Sequence, residues 1–227
     1  MTLPVLILAA GFGTRMGALT ADRPKALIEV GGRPLIDHAL QAAAGAGGPI
    51  AMNAHYRAEQ IKAHMQGRPV HVLHEEPEIL DSGGALRNAL PVLGDGAVGT
   101  LNADAVWTGA NPFDTLKAAW QSAQMGALVL LVPTSRAIGR RAGGDFALSS
   151  SGRVTPDRSG MVYTGAQIMD AGVVAQWPAK AFSMWEIWTV LMREGRLFGC
   201  IHPGHWADVG HAAGIATAED MLDKARV

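Results

Sequence analysis

The stretch Gly11-Phe12-Gly13-Thr14-Arg15-Met16-Gly17 combines residue types that can bind an anion. Backbone N–H groups in such a loop can converge on a phosphate if no side chain blocks close approach, which glycine allows. Arg15 adds a forked, permanently charged donor. Downstream, Arg23-Pro24-Lys25 offers two more cations, and Lys25 can act as a point charge on a phosphate oxygen. Asp104 closes Asn102-Ala103-Asp104 after an apolar run. Ligands of open α/β sheets gather beyond the carboxyl ends of strands, so a carboxylate at Asp104 can hold Mg²⁺ against a triphosphate.

Two better-known phosphate motifs are excluded. A Walker A loop needs a Gly-Lys pair, and the chain has none. A dinucleotide fingerprint needs Gly or Ala where Met16 stands, and an acid after the second strand, where Asn53-Ala54-His55 is found. A dinucleotide-dependent oxidoreductase is therefore the weakest alternative. No G-x-S-x-G elbow or reactive-cysteine context points to acyl transfer.

These residues need a scaffold, and the apolar pattern supplies one. Pro4 to Leu8 is a continuous apolar run, as in a strand covered on both faces. A helix follows over 34–44, ended by Gly45-Ala46-Gly47-Gly48, then a strand over 49–53. The pattern continues with a helix over 58–65, a strand over 70–74, a short helix over 84–90 and a strand over 97–101. A helix over 113–124 and a strand over 127–132 complete the alternation. The expected fold is α/β, Rossmann-like, a mainly parallel but mixed sheet with helices on both faces. The second half is less regular: a loop with short hairpin strands over 140–156, a strand over 162–169, and a helix over 183–194. That helix carries a Ser183/Glu186 capping box and an apolar face that includes Trp185 and Trp188, both expected in the core.

The 227 residues read as one domain, 1–227, with a regular first half over 1–133 and a less regular second half over 134–227. Nineteen Lys and Arg against twenty Asp and Glu leave no basic footprint for nucleic acid or anionic membrane. The single Cys200 excludes a disulfide framework or a cysteine-cluster zinc site. Residues 1–10 lack the positive start of a signal peptide and are too short to span a membrane, so a cytoplasmic location is expected.

Taken together, Leu8-Ala9-Ala10-Gly11-x-Gly13-Thr14-Arg15-Met16, Pro24-Lys25-Ala26-Leu27 and Gly31-x-x-Pro34-Leu35-Ile36 resemble the sugar-phosphate nucleotidylyltransferases. The resemblance covers almost the whole chain, and Asn53-x-His55-Tyr56 is most like the uridylyltransferases of that family. It implies transfer of a nucleoside monophosphate, UMP in that branch, from a nucleoside triphosphate to a sugar-1-phosphate. It assigns nucleotide contacts to Ala9, Ala10, Gly11, Gly13, Thr14, Arg15, Asn53, Ser82 and Gly83. It assigns catalysis to Arg15, Lys25 and Asp104, and Mg²⁺ to Asp104 and Asp208. Gly144, Asp145, Thr164 and Gly165 then face the acceptor, which makes 1–133 the nucleotide-binding half and 134–227 the sugar-phosphate-binding half. In the family, Gly stands where this chain has Ala103, so the turn there is either differently shaped or never needed Gly.

Each assignment has a plainer alternative. Ser82 can be an N-cap with no ligand. Asp208 can be a loop turn, and Asp145 part of a solvated hairpin turn. Arg136, Arg140 and Arg141 can hold an acceptor phosphate or form a solvated face. The spacing of His202 and His205 across Pro203-Gly204 does not favour zinc. His55, His71 and His74 are expected as partly buried strand-end residues. A catalytically silent nucleotide-sugar sensor on the same fold is the rival function, and the retained Lys25, Asp104 and Asp208 argue against it. The sequence leaves open the base, the sugar and the oligomeric state.

Overall fold

The structure, a computed structural model, describes residues 1–140 and 143–225. Its centre is a seven-stranded sheet. Across the sheet the strands run Leu197–Ile201, Ala127–Val132, Val162–Asp170, Ala97–Asn102, Leu3–Leu8, Gly47–Ala54 and Val70–His74. All neighbours are parallel except those of Val162–Asp170, which runs antiparallel to the strands on both of its sides. The sheet is therefore mixed, as the sequence pattern leads one to expect.

Helices cover both faces, and the two-residue period of the strands decides which side chain meets which layer. Leu3, Val5 and Ile7 join a core with helices Leu35–Ala44, Ala58–Met65 and Pro112–Ala119. Leu6, Ala51 and Val129 point the other way, toward helices Asp81–Leu93, Ala171–Ala175 and Met184–Arg193. Strands buried on both faces must be apolar throughout, which explains the unbroken runs at 3–8 and 127–132.

A small sheet of Ala105–Trp107, Trp206–Asp208 and Ala137–Ile138 stands at the carboxyl ends of the main strands. It carries the chain's second half back to the first. Met16, Val106, Ala207 and Val209 pack there with Met221 of the Ala213–Lys224 helix. Met16, the residue that breaks a dinucleotide fingerprint, is thus a buried anchor for the glycine loop.

Several boundaries differ from expectation. The helix expected over 84–90 runs from Asp81 to Leu93, because its first turn is held by contacts with Phe182 rather than by a local cap. The helix expected over 113–124 stops at Ala119. The Gly47-Gly48 pair belongs to the next strand, where a Cβ on Gly48 would collide with the Leu3 backbone. Ser183 and Glu186 do form the expected capping box. Trp188 is buried as expected, but Trp185 is 45 % exposed and stacks on Phe146 with ring centroids 5.6 Å apart. His71 is exposed rather than partly buried.

Candidate functional site

The strand Leu3–Leu8 delivers the chain into the glycine loop at the carboxyl edge of the sheet. Gly13 has φ +67°, and a Cβ there would lie 2.9 Å from Lys25 Cβ and 3.0 Å from Thr20 Cγ2. Only glycine tolerates both the left-handed backbone and that approach. Gly11 is different. A Cβ on it meets no protein atom, because it would project into an open cleft. The loop is tied down by Thr20, whose hydroxyl donates to the Gly13 carbonyl at 3.0 Å. Tyr56 ties the following turn, donating from its hydroxyl to the Thr20 carbonyl at 2.9 Å.

The cleft has a volume of about 300 Å³ and is walled by Gly11–Arg15, Lys25, Asn102–Asp104 and Gly210. Lys25 Nζ donates to Asp104 Oδ2 at 2.7 Å, joining the second loop to the end of the Ala97–Asn102 strand. Ala103 takes no positive φ. It is buried and donates its N–H to the Leu8 carbonyl at 3.1 Å, so glycine is not required at this turn.

Asp208 comes beside Asp104 through strand pairing: Asp208 faces Ala105, and the Val209 N–H donates to the Asp104 carbonyl at 2.9 Å. Burial and then the neighbouring Asp104 charge push the Asp208 carboxyl above its ordinary pKa, against the pull of Lys25, Arg15 and Arg140. Two carboxylates held this close, one of them reluctant to ionise, form a site that a small dication would relieve of repulsion. No group of three or more His, Cys, Asp or Glu side chains suited to a metal occurs among the described residues. A magnesium ion, which needs few protein ligands, fits such a pair; a zinc cage does not.

Other predicted site residues lie near the cleft but use their polar groups internally. Asn53 is buried beneath the loop, where its Oδ1 accepts from the Ala9 N–H at 2.7 Å and its Nδ2 donates to Glu75 Oε1 at 2.8 Å. It supports the loop from below rather than presenting its amide to a nucleotide. The N–H groups of Gly83 and Gly84 both donate to the Phe182 carbonyl. Ser82 is inside the helix and not its N-cap; its hydroxyl accepts from the Met184 N–H at 2.8 Å and donates to Asp81 Oδ1. Thr164 is fully buried and donates to the Leu130 carbonyl at 3.0 Å. Gly165, with φ +84°, leaves room for Asn102, which a Cβ would approach to 2.9 Å.

In the second half of the chain, Asp145 accepts from Arg140 at one oxygen and from the Tyr163 N–H at the other, 2.9 Å away. A second hollow of about 440 Å³ opens here, lined by Arg140, Gly143–Asp145, Pro156–Arg158 and the exposed face of Trp185. Arg140 links the two regions, since its charge acts on both Asp145 and Asp208. Arg136 donates to the Pro203 carbonyl at 2.8 Å, so it braces a turn. Arg141 lies outside the described residues. His202 is buried, with Nε2 3.0 Å from the Thr108 carbonyl, and takes no part in a metal cluster. Sequence reasoning passed over Glu75 and Trp185. A lone acid beside Asn53 in the fold gives no local signal, and Trp185 follows the apolar helical pattern although its ring is partly exposed.

Among the described residues, no helix is long and apolar enough to cross a membrane. A family model described as a MobA-like NTP transferase domain matches residues 5–222. The chain is 36 % identical to N-acetylmuramate alpha-1-phosphate uridylyltransferase of Caulobacter vibrioides, over 97 % of each chain. Its fold is similar to that of the inositol-1-phosphate CTP transferase from T. maritima, with TM-score 0.79, 14 % identity and coverage of 100 % and 97 %. HddC from Yersinia pseudotuberculosis, solved with GMP-PN, superposes with TM-score 0.77 at 18 % identity, covering 97 % and 99 %. The last two likenesses speak for the fold alone. With the glycine loop, Lys25 and the paired carboxylates at one sheet edge, the family match identifies the chain as an enzyme and a nucleotidyltransferase: it belongs to the MobA-like NTP transferase domain family.

Proposed function

We propose that this enzyme transfers UMP from UTP to a sugar-1-phosphate, with N-acetylmuramate 1-phosphate as the acceptor, in the cytoplasm and in the service of cell-wall sugar recycling. The observation that carries the reading is one cleft lined by the glycine loop, Lys25 and Asp104, with Asp208 beside Asp104. The relative of known activity matches over nearly its full length, which supports the choice of base and sugar.

The acceptor phosphate is a monoester with a second pKa of about 6, so it is largely dianionic at neutral pH and needs no general base. One of its oxygens forms a bond to the α-phosphorus as the bond to the β-phosphate oxygen breaks and pyrophosphate leaves. The protein must therefore align two anions and offset their repulsion. Lys25 stands at the cleft wall, where its charge serves the α-phosphate and the incoming phosphate. Arg15 and the N–H groups of the glycine loop neutralise the β- and γ-phosphates. Asp104 and Asp208 are the residues that would hold Mg²⁺, which supplies charge neutralisation at the reacting phosphates. The Gly144–Asp145 hollow, with Trp185 as one wall, takes the sugar.

The test is pyrophosphate release with Mg²⁺ from a panel of nucleoside triphosphates and sugar-1-phosphates. UTP with N-acetylmuramate 1-phosphate is expected to be fastest. Absence of pyrophosphate with every pair would overturn the assignment.

A further inference from the structure

Glu75 is 2 % exposed, yet no Lys or Arg pairs with it among the described residues. Its partners are amides. Oε1 accepts from Asn53 Nδ2 at 2.8 Å, and Oε2 accepts from the Leu80 N–H at 2.9 Å. Its backbone carbonyl accepts from His55 Nδ1 at 2.8 Å. Asn53 in turn accepts from the Ala9 N–H at 2.7 Å. A continuous hydrogen-bonded chain, buried at Asn53, Glu75 and Leu80 and half-buried at Ala9, thus runs from Ala9 through Asn53 and Glu75 to Leu80.

The donor and acceptor count dictates the residue types. The Ala9 N–H can only donate, so the Asn53 amide must turn its oxygen to Ala9 and its nitrogen to Glu75. Asn53 Nδ2 and the Leu80 N–H then both donate to position 75. A glutamine there has one acceptor oxygen, and its NH₂ would face a donor. Only a carboxylate accepts from both. Burying an anion is costly without such bonds, and a bond to a charged acceptor is among the stronger kinds.

The two ends of the chain matter for function. Ala9 opens the glycine loop and lines the cleft. Leu80 immediately precedes the helix that carries Ser82. We propose that Glu75 is a positioning residue for nucleotide binding, which acts through Asn53 on the glycine loop and through Leu80 on the Ser82 helix. One buried carboxylate then sets the spacing of the two segments. The inference rests on reading the cleft as the nucleotide site.

The test uses three variants of the full chain: Glu75→Gln, Asn53→Asp and the two combined. UTP binding is measured by calorimetry without acceptor, and KM and kcat with it. Glu75→Gln loses one charge-assisted bond and should weaken UTP binding and raise the UTP KM about tenfold. Acceptor KM and kcat should change little. Asn53→Asp sets two buried carboxylates against each other and should lose at least as much. In the combined variant donor and acceptor change sides. The new amide donates to the new carboxylate and accepts from Leu80, while the carboxylate still accepts from Ala9. UTP binding should return to within about threefold of the parent. Unchanged binding in Glu75→Gln, or losses that merely add in the combined variant, would overturn the proposal while leaving the cleft's function intact. If Glu75→Gln fails to fold, the combined variant still decides, because it keeps all three bonds. A parent protein that binds no nucleoside triphosphate would sink both readings.

Discussion

Lys25 Nζ lies 2.7 Å from Asp104 Oδ2, although 79 positions separate the two in the chain. Their side chains are 12 % and 33 % exposed, so the pair is shielded but open on the cleft side. Each holds the other in place where the triphosphate is proposed to react. Asp104→Asn should lower kcat by at least about 100-fold, the scale seen when one electrostatic contact to a transition state is removed. Lys25→Ala should fall by a similar factor in kcat, with a smaller change in UTP affinity. Steady-state kinetics with circular dichroism as a fold check decides both, and chelation of the divalent cation should abolish turnover in the parent. Near-normal Mg²⁺-dependent rates in Asp104→Asn would remove that residue from the site.

The two glycines of the loop should respond in opposite ways. Gly13→Ala forces a side chain into the left-handed region and against Lys25, and should cost about 2 kcal/mol of stability, read as a lower Tm. Gly11→Ala meets no protein atom and should melt like the parent. Its Cβ enters the cleft, so UTP binding should weaken instead. A stability loss at Gly11 with binding intact would mean that the cleft is not where phosphate sits.

Trp185 offers a test of the acceptor side. Its ring is open to solvent and stacks on Phe146. Trp185→Ala should raise the KM for the sugar-1-phosphate roughly fivefold, leave the UTP KM alone, and cost about 1 kcal/mol of stability for the lost ring pair. An unchanged acceptor KM would return Trp185 to the status of an exposed helix residue.

Asp37 gives a pH prediction away from the cleft. It joins two helical regions, with His64 Nε2 at 3.0 Å and Arg68 beside it. Burial alone would raise its carboxyl pKa, but the bonds from His64 and Arg68 prevail and lower it. A lowered pKa in the folded state means that the stability is present above the unfolded value of about 4 and fades as pH falls through the folded one. Asp37→Asn should therefore cost about 1 kcal/mol at pH 7, with the gap to the parent closing below about pH 4. Denaturant melts at the two pH values check it.

Much of this protein was legible in the order of its residues. Apolar runs at 3–8 and 127–132 and helical spacing at 35–44 and 58–65 specify a covered sheet, because periodicity and burial are local consequences of side-chain direction. The glycine loop was legible for the same reason, since its glycines and Arg15 stand close together in sequence right after the first strand. What the tertiary structure alone decided were the relations between distant segments. It put Asp208 next to Asp104 through pairing of short strands that show no strong pattern. It buried Asn53 under the loop, gave Glu75 two donors to satisfy, and used the Gly83 N–H on Phe182. It left Trp185 partly exposed on an otherwise buried helix face, with its ring stacked on Phe146. A residue's type limits which bonds it can make, but its partners are set by which segments the fold brings within hydrogen-bond reach.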